Sequence, residues 1–379
     1  MAVEDLLGRG GPAYGYRLEA RRENADFTLQ LVSPFVNVPA GGTAIVSVNI
    51  NRRGYDGPMR ITIPNLPAGY RQAGGTVAAA SASQRFDEPN PRFGRNTSII
   101  TITADADAKP QRLDLIVKGV ADLSDGGRIV RFADGPGLMV TPRGLKQRPV
   151  SAYWLGMPLP MASAKALPAR VVVGPQEVRV SQGVEYPLAY KVEGPAAGRM
   201  QGRLRETIAT QIGNLRILQG PPSKTPSSGQ LLVNTNFATP ATRWDFLPQV
   251  TIDLDGKQLD VYGPMVVFDV VPGYQLWPAA KQWSAAPGSA MSIAGKVYRE
   301  PTFEGGLVKI EAQELPDGMS CRSIDVAATA SEFKMDCQLA PSAVKGTYEI
   351  RLVSSAPDTG RKAQDTYKGP EVTGTVKVI

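Results

Sequence analysis

Two cysteines, Cys321 and Cys337, stand 16 positions apart and are the residues of this chain best placed to react with each other. Cys321 follows the turn LPDGM and Cys337 lies near the start of the next recognisable strand, so both fall within one stretch of one domain. A disulfide between them would close a loop worth about 3 kcal/mol in the chain-entropy picture. It would also place the chain in an oxidising compartment. The alternative reading is two buried free thiols.

Carboxylates occur in pairs at Asp105/Asp107, Asp253/Asp255 and Asp358/Asp365, the side chains that calcium takes. None has the spacing of a twelve-residue calcium loop with a distal Glu, and two of the pairs fall where turns recur. They are expected to serve turns, and no metal ligand is assigned. The chain holds no histidine, which removes Ser-His-Asp and Cys-His catalysis and imidazole-zinc sites. No phosphate loop, nucleophile elbow or CxxC is present, and the Gly-rich run GRGGPAYG (8–15) does not follow a strand and open a helix. The expectation is a non-enzyme with no catalytic residue and no cofactor.

Aromatic side chains remain as candidates for binding. Trp244, Trp277 and Trp283 stand near strands of the later part of the chain, where an exposed ring would stack a sugar and an inward one would fill a core. A long insertion, SASQRFDEPNPRFGRN (81–96), carries Phe86 and Phe93, which are the binding-loop candidates. A second loop, LQGPPSKTPSSGQ (218–230), is rich in Pro and Ser. Asn96-Thr97-Ser98 fits the glycosylation sequon, a pattern common by chance.

The elements that must position these residues are strands. TAIVSVNI (43–50), TSIITIT (97–103), QVTIDL (249–254), LVKIEA (307–312) and YEIRLV (348–353) alternate apolar with polar, and capped amphipathic helical windows are almost absent. SDGGR (124–128) and LDGKQ (254–258) put Asp-Gly between alternating runs, a strong hairpin signal. The 39 glycines and 32 prolines exceed average usage of about 7% and 5%, and with 42% hydrophobic residues they describe a folded, turn-rich protein.

The order of turns recurs. Residues 102–140 align with 236–271 through an apolar run, an Asp-Gly hairpin, a return strand and Gly-Pro, and 337–379 follows the same order with a longer loop. With 379 residues and units of roughly 105–115, the chain is read as all-β with three tandem immunoglobulin-like β-sandwiches. The expected boundaries are 26–142, 168–272 and 273–379, with an N-terminal segment 1–25 and a Pro-rich linker 143–167 from which Tyr153, Trp154 and Leu155 dock on a domain surface.

A net charge of +7 and a pI near 9.3 suggest anionic partners. The basic residues are scattered, however, and the densest group (Arg143, Lys146, Arg148) sits in a Pro-rich segment, so no nucleic-acid partner is expected. No apolar stretch approaches the roughly 18 residues that span a bilayer, and the first residues lack the apolar core of a signal peptide.

The runs GGPAYGYRLEARRENADFTLQL (10–31), VPAGGTAIVSVNINRRGYDGPMRITIPNLPAGY (38–70) and ITADADAKP (102–110) resemble large secreted proteins of soil acidobacteria and planctomycetes. In those, tandem immunoglobulin-like domains follow a pre-peptidase C-terminal-type domain. The resemblance covers about residues 10–140, carries no ligand residue, and implies export, a remnant strand at 1–25 and missing upstream domains of the same polypeptide. Together these readings point to an extracellular, cell-surface or periplasmic structural or adhesive module, a spacer or protein-binding stalk. The alternative is a carbohydrate-binding accessory region of a secreted hydrolase. The partners expected are other envelope proteins or polysaccharide.

Overall fold

The computed structural model describes residues 25–79, 97–135, 158–208, 215–219, 227–235, 239–303, 306–357 and 366–379, with the side chains of 206–208 and 215–219 left aside. Apart from one 3₁₀ turn at Ala197–Arg199, the described residues are strands, turns and bends. Alternation explains them. In Glu332–Leu339, Phe333, Met335, Cys337 and Leu339 turn into a core while Glu332, Lys334 and Asp336 face out.

The first sandwich contains β1 (Asp26–Leu31), β2 (Val36–Pro39), β3 (Thr43–Arg53), β4 (Met59–Thr62), β5 (Tyr70–Gly74) and β6 (Thr76–Val77). It continues through β7 (Thr97–Ala104), β8 (Arg112–Leu115), β9 (Lys118–Asp122), β10 (Arg128–Asp134) and β11 (Leu159–Ala164). One layer runs β1-β3-β7-β5. The other is made of β10-β9-β4-β6 and, further along the same connected strands, β2-β11-β8.

The second sandwich contains β12 (Arg170–Gly174), β13 (Glu177–Ser181), β14 (Glu185–Glu193), β15 (Met200–Ile208) and β16 (Leu215–Gln219). After these come β17 (Ser228–Thr235), β18 (Arg243–Leu254), β19 (Lys257–Tyr262) and β20 (Val266–Val271). Its layers are β12-β14-β17-β16 and β13-β20-β18-β15, with β19 beside β20 on the flank of β18.

The third contains β21 (Tyr274–Pro278), β22 (Gln282–Ala285), β23 (Ala290–Arg299), β24 (Val308–Gln313) and β25 (Met319–Cys321). It ends with β26 (Ile324–Val326), β27 (Glu332–Leu339), β28 (Gly346–Pro357), β29 (Thr366–Lys368) and β30 (Val372–Val378). Its layers are β21-β23-β27-β25 and β22-β30-β28-β24-β26, with β29 on β28.

All three copies share a four-strand layer (β1-β3-β7-β5, β12-β14-β17-β16, β21-β23-β27-β25) facing a layer whose last strand pairs antiparallel with an earlier one (β11 with β8, β20 with β18, β30 with β28), as in immunoglobulin-like sandwiches. In each, an early strand also runs parallel to the last: β2 with β11, β13 with β20, β22 with β30. Three separate apolar cores fill them, drawn from Phe27 to Met161, Ala169 to Val270 and Tyr274 to Val378. The chain is three tandem immunoglobulin-like β-sandwiches.

The Asp-Gly signals did their local work. Leu254 pairs with Lys257 across the two-residue turn Asp255-Gly256, both residues at positive φ (55° and 85°), as a type I′ hairpin requires. The SDGG loop is longer, closing between Asp122 and Arg128 with Gly126 at φ 85°.

One expectation needs correction. The composition of 143–167 predicts a linker, yet Leu159–Ala164 form β11, with Leu159 and Met161 buried in the first core. The Pro-rich stretch therefore precedes the last strand of the first sandwich, and β12 begins six residues after β11 ends. Pro160 hid the strand, because proline is rare within paired strands. It is tolerated here because it faces Asp114 of β8 one residue before pairing with β2 begins at Met161. Tyr153, Trp154 and Leu155 lie outside the described residues.

Candidate functional site

Cys321 and Cys337 are joined by a disulfide, with their Cα atoms 4.0 Å apart. They are directly opposed in the register of β25 and β27, and Cys337 is fully buried in the third core. The bridge ties a three-residue edge strand to the eight-residue strand beside it.

The carboxylate pairs that lie among the described residues are occupied by structural duties. Asp253 accepts from the Gly256 N–H (2.7 Å) and from Gln201 Nε2 (2.8 Å), holding the hairpin, while Asp255 pairs with Arg199 (3.0 Å). Asp105 pairs with Arg71 (2.8 Å). Asp358 and Asp365, like Phe86 and Phe93, lie outside the described residues. Among the described residues no group of three or more Cys, Asp or Glu is placed to hold a metal ion, and no helix is long and apolar enough to cross a membrane.

The tryptophans divide by position. Trp244 on β18 is fully buried in the second core, its indole N–H donating to Pro240 O (3.3 Å). Trp283 on β22 is half-buried against the third core. Trp277 on β21 is 58% exposed and lies nearly parallel to Tyr298 of β23, itself 44% exposed, with ring centroids 5.9 Å apart and planes 13° off parallel. The spacing of Trp277 and Tyr298, 21 positions, carries no signal in the sequence; the β21-β23 register puts them side by side.

The contacts that sequence reasoning missed join the sandwiches. Between the first and second, Asp245 of β18 is fully buried and accepts from both the N–H (2.7 Å) and hydroxyl (2.9 Å) of Thr76 on β6. Met265 N–H donates to Thr101 Oγ1 (3.0 Å), and Ile99, Leu247 and Met265 form a small apolar core across the junction. Tyr262 of β19 pairs with Thr43 of β3, so one sheet continues from one sandwich into the next.

Between the second and third, Glu300 is buried (4% exposed) and takes Arg179 Nη2 at 2.5 Å and Nε at 3.2 Å. Ser181 N–H donates to Thr302 Oγ1 (2.8 Å). The Tyr367 hydroxyl accepts from Gly273 N–H (3.2 Å) and donates to Gln182 Oε1 (2.9 Å), while Gln182 Nε2 reaches Thr239 O. Gly273 is a glycine because the ring of Phe303 occupies the space a Cβ would need. That ring packs with Tyr274 and Tyr367 in a three-aromatic cluster under the junction.

Burial raises the Asp245 pKa, outweighing the two hydrogen bonds from Thr76 and the nearby charges of Arg243 and Arg60 that act to lower it. A carboxyl whose pKa is higher folded than unfolded contributes stability that is full below the unfolded value near 3.9 and is lost as pH rises through the native value. Asp245→Asn should therefore gain on the wild-type chain as pH rises from acid to neutral. Urea titrations of both proteins at a series of pH values read this directly; a difference that stays flat with pH would refute it.

No protein-family model and no curated protein matches the chain. Among solved structures it is similar to a marsupial T cell receptor (TM-score 0.22, 8% identity, 93% of this chain and 100% of that one). It is also similar to the complex of Dpr2 Ig1-Ig2 with DIP-Theta Ig1-Ig3 (0.21, 8%, 93% and 99%) and to domains 4 and 5 of the S-layer protein SbsC (0.21, 13%, 39% and 69%). At such scores the immunoglobulin-like assignment stands on strand order, not on these overlaps.

Proposed function

We propose that this chain is a non-enzymatic structural or adhesive module, a spacer or protein-binding stalk of a cell-envelope or secreted protein. The observation that carries this reading is that both junctions are tied by buried polar contacts, Thr76–Asp245 on one side and Arg179–Glu300 with Gln182–Tyr367 on the other. Sandwiches strung on open linkers move independently, because few contacts cross the boundary. Here hydrogen bonds and a charged pair bridge each junction and would have to be given up together for the domains to swing apart, so the domains hold a fixed relation, which is what a spacer needs. Export is supported by the disulfide, which persists in oxidising compartments, and by the resemblance of residues 10–140 to secreted tandem-domain proteins.

Small-angle scattering tests the spacer reading. The wild-type chain should fit a single arrangement of the three sandwiches. A Glu300→Gln, Gln182→Ala variant should broaden the distance distribution while its circular dichroism stays unchanged. Wild-type scattering that requires an ensemble of interdomain angles as broad as the variant's would sink the proposal.

A further inference from the structure

Where β21 begins and β23 ends against the second sandwich, the outer face of the third carries an organised group of side chains that the spacer role does not use. Gln275 is directly opposite Tyr298, and Trp277 opposite Lys296, which is in turn opposite Glu332 of β27. Directly paired residues and residues two apart share a face, so all five point outward. Leu276, Val297 and Phe333 between them point into the core. Gln275 Oε1 accepts from the Trp277 indole N–H (3.4 Å) and steadies the ring. One step beyond Tyr298, Glu300 takes the Arg179 guanidinium, whose Nη1 also reaches Asp269 (3.2 Å). Arg179 remains 57% exposed and lies in electrostatic range of Tyr298. Two near-parallel exposed rings thus continue into a planar fork of charged hydrogen-bonding groups, across the boundary between the second and third sandwiches.

We infer that this face binds a neutral polysaccharide chain, one sugar stacking on the exposed face of the stacked Trp277–Tyr298 pair and the next hydrogen-bonded by Arg179 and Asp269. Aromatic faces carry partial negative charge and offer a flat apolar surface, which the C–H face of a pyranose matches. The hydroxyls at a sugar's edge need in-plane donors and acceptors, and Gln275, Arg179 and Asp269 supply both kinds. Acidic groups match or outnumber basic ones here, Lys296 standing opposite Glu332 and Arg179 pairing with both Glu300 and Asp269, so nothing selects a polyanion. A protein partner is a poorer fit, because two rings fenced by charged side chains are small against the roughly 800 Å² per partner of a stable interface.

The test titrates the full chain with cellohexaose, xylohexaose, mannohexaose and chitohexaose, read by calorimetry and by tryptophan emission. At least one hexasaccharide should saturate. Trp277→Ala and Tyr298→Ala should each weaken binding by about tenfold or more, Trp277→Phe should keep most of it, and all three should melt as the wild type does. Three outcomes would overturn the proposal: no hexasaccharide saturates at ~10 mM, an affinity of about −2.7 kcal/mol; binding survives the Trp277→Ala, Tyr298→Ala double change; or sedimentation shows that Trp277 instead drives pairing of two copies. Scattering by the free chain is independent of all of these, so failure here leaves the spacer reading to its own test.

Discussion

Trp244→Ala is expected to cost the second sandwich about 3–5 kcal/mol, the range for truncating a large buried aromatic. Trp244 has no exposed surface, fills the second core with Phe246, Val250 and Phe268, and places its indole N–H on Pro240 O. Alanine would leave a cavity in the second core and take the indole donor from the Pro240 carbonyl ahead of β18. For a domain of this size each kcal/mol moves the midpoint by about 4–8 °C, so calorimetry should show one of three transitions falling by at least ~12 °C. Trp244→Phe should lose less than half as much. A Trp244→Ala loss below about 1 kcal/mol would mean that the second core collapses around the gap.

Opening the disulfide should have the second-largest effect. Replacing Cys321 and Cys337 by Ala frees a loop whose closure is worth about 3 kcal/mol on chain entropy. It also releases β25, which otherwise holds to β27 by three residue pairs. The third transition alone should fall, and reducing agent should lower the wild-type protein to match the double variant. Mass spectrometry under non-reducing conditions that finds both thiols free would remove this effect and the strongest residue-level support for export.

Much of this architecture could be read from the residues. The alternation in Glu332–Leu339 and Thr43–Arg53 already says which side chains turn inward, since that depends only on the pleat. Asp255-Gly256 fixes its hairpin because both residues tolerate positive φ. The repeated order of these signals yields three sandwiches. What escaped was β11, too short and too interrupted by Pro160 to show a period, and every contact between sandwiches.

The candidate binding face was less legible. Trp244, Trp277 and Trp283 are the same residue type near similar strands, and one is a core residue, one half-buried and one exposed. Their fates differ because a side chain's face follows from local register, whereas what covers that face follows from elements far away in the chain.

The stretch Trp244–Leu247 of β18 separates the two kinds of information. By itself the sequence determines that Trp244 and Phe246 point one way and Asp245 and Leu247 the other, because a strand alternates. An aspartate on the second face reads as solvated. Only the tertiary structure decides otherwise: β6, 169 residues earlier, brings Thr76 to the Asp245 carboxylate, while Ile99 and Met265 close over Leu247. Period two is a property of neighbouring residues and is written in them. Whether an outward face meets water or another domain is settled by surfaces that must first fold.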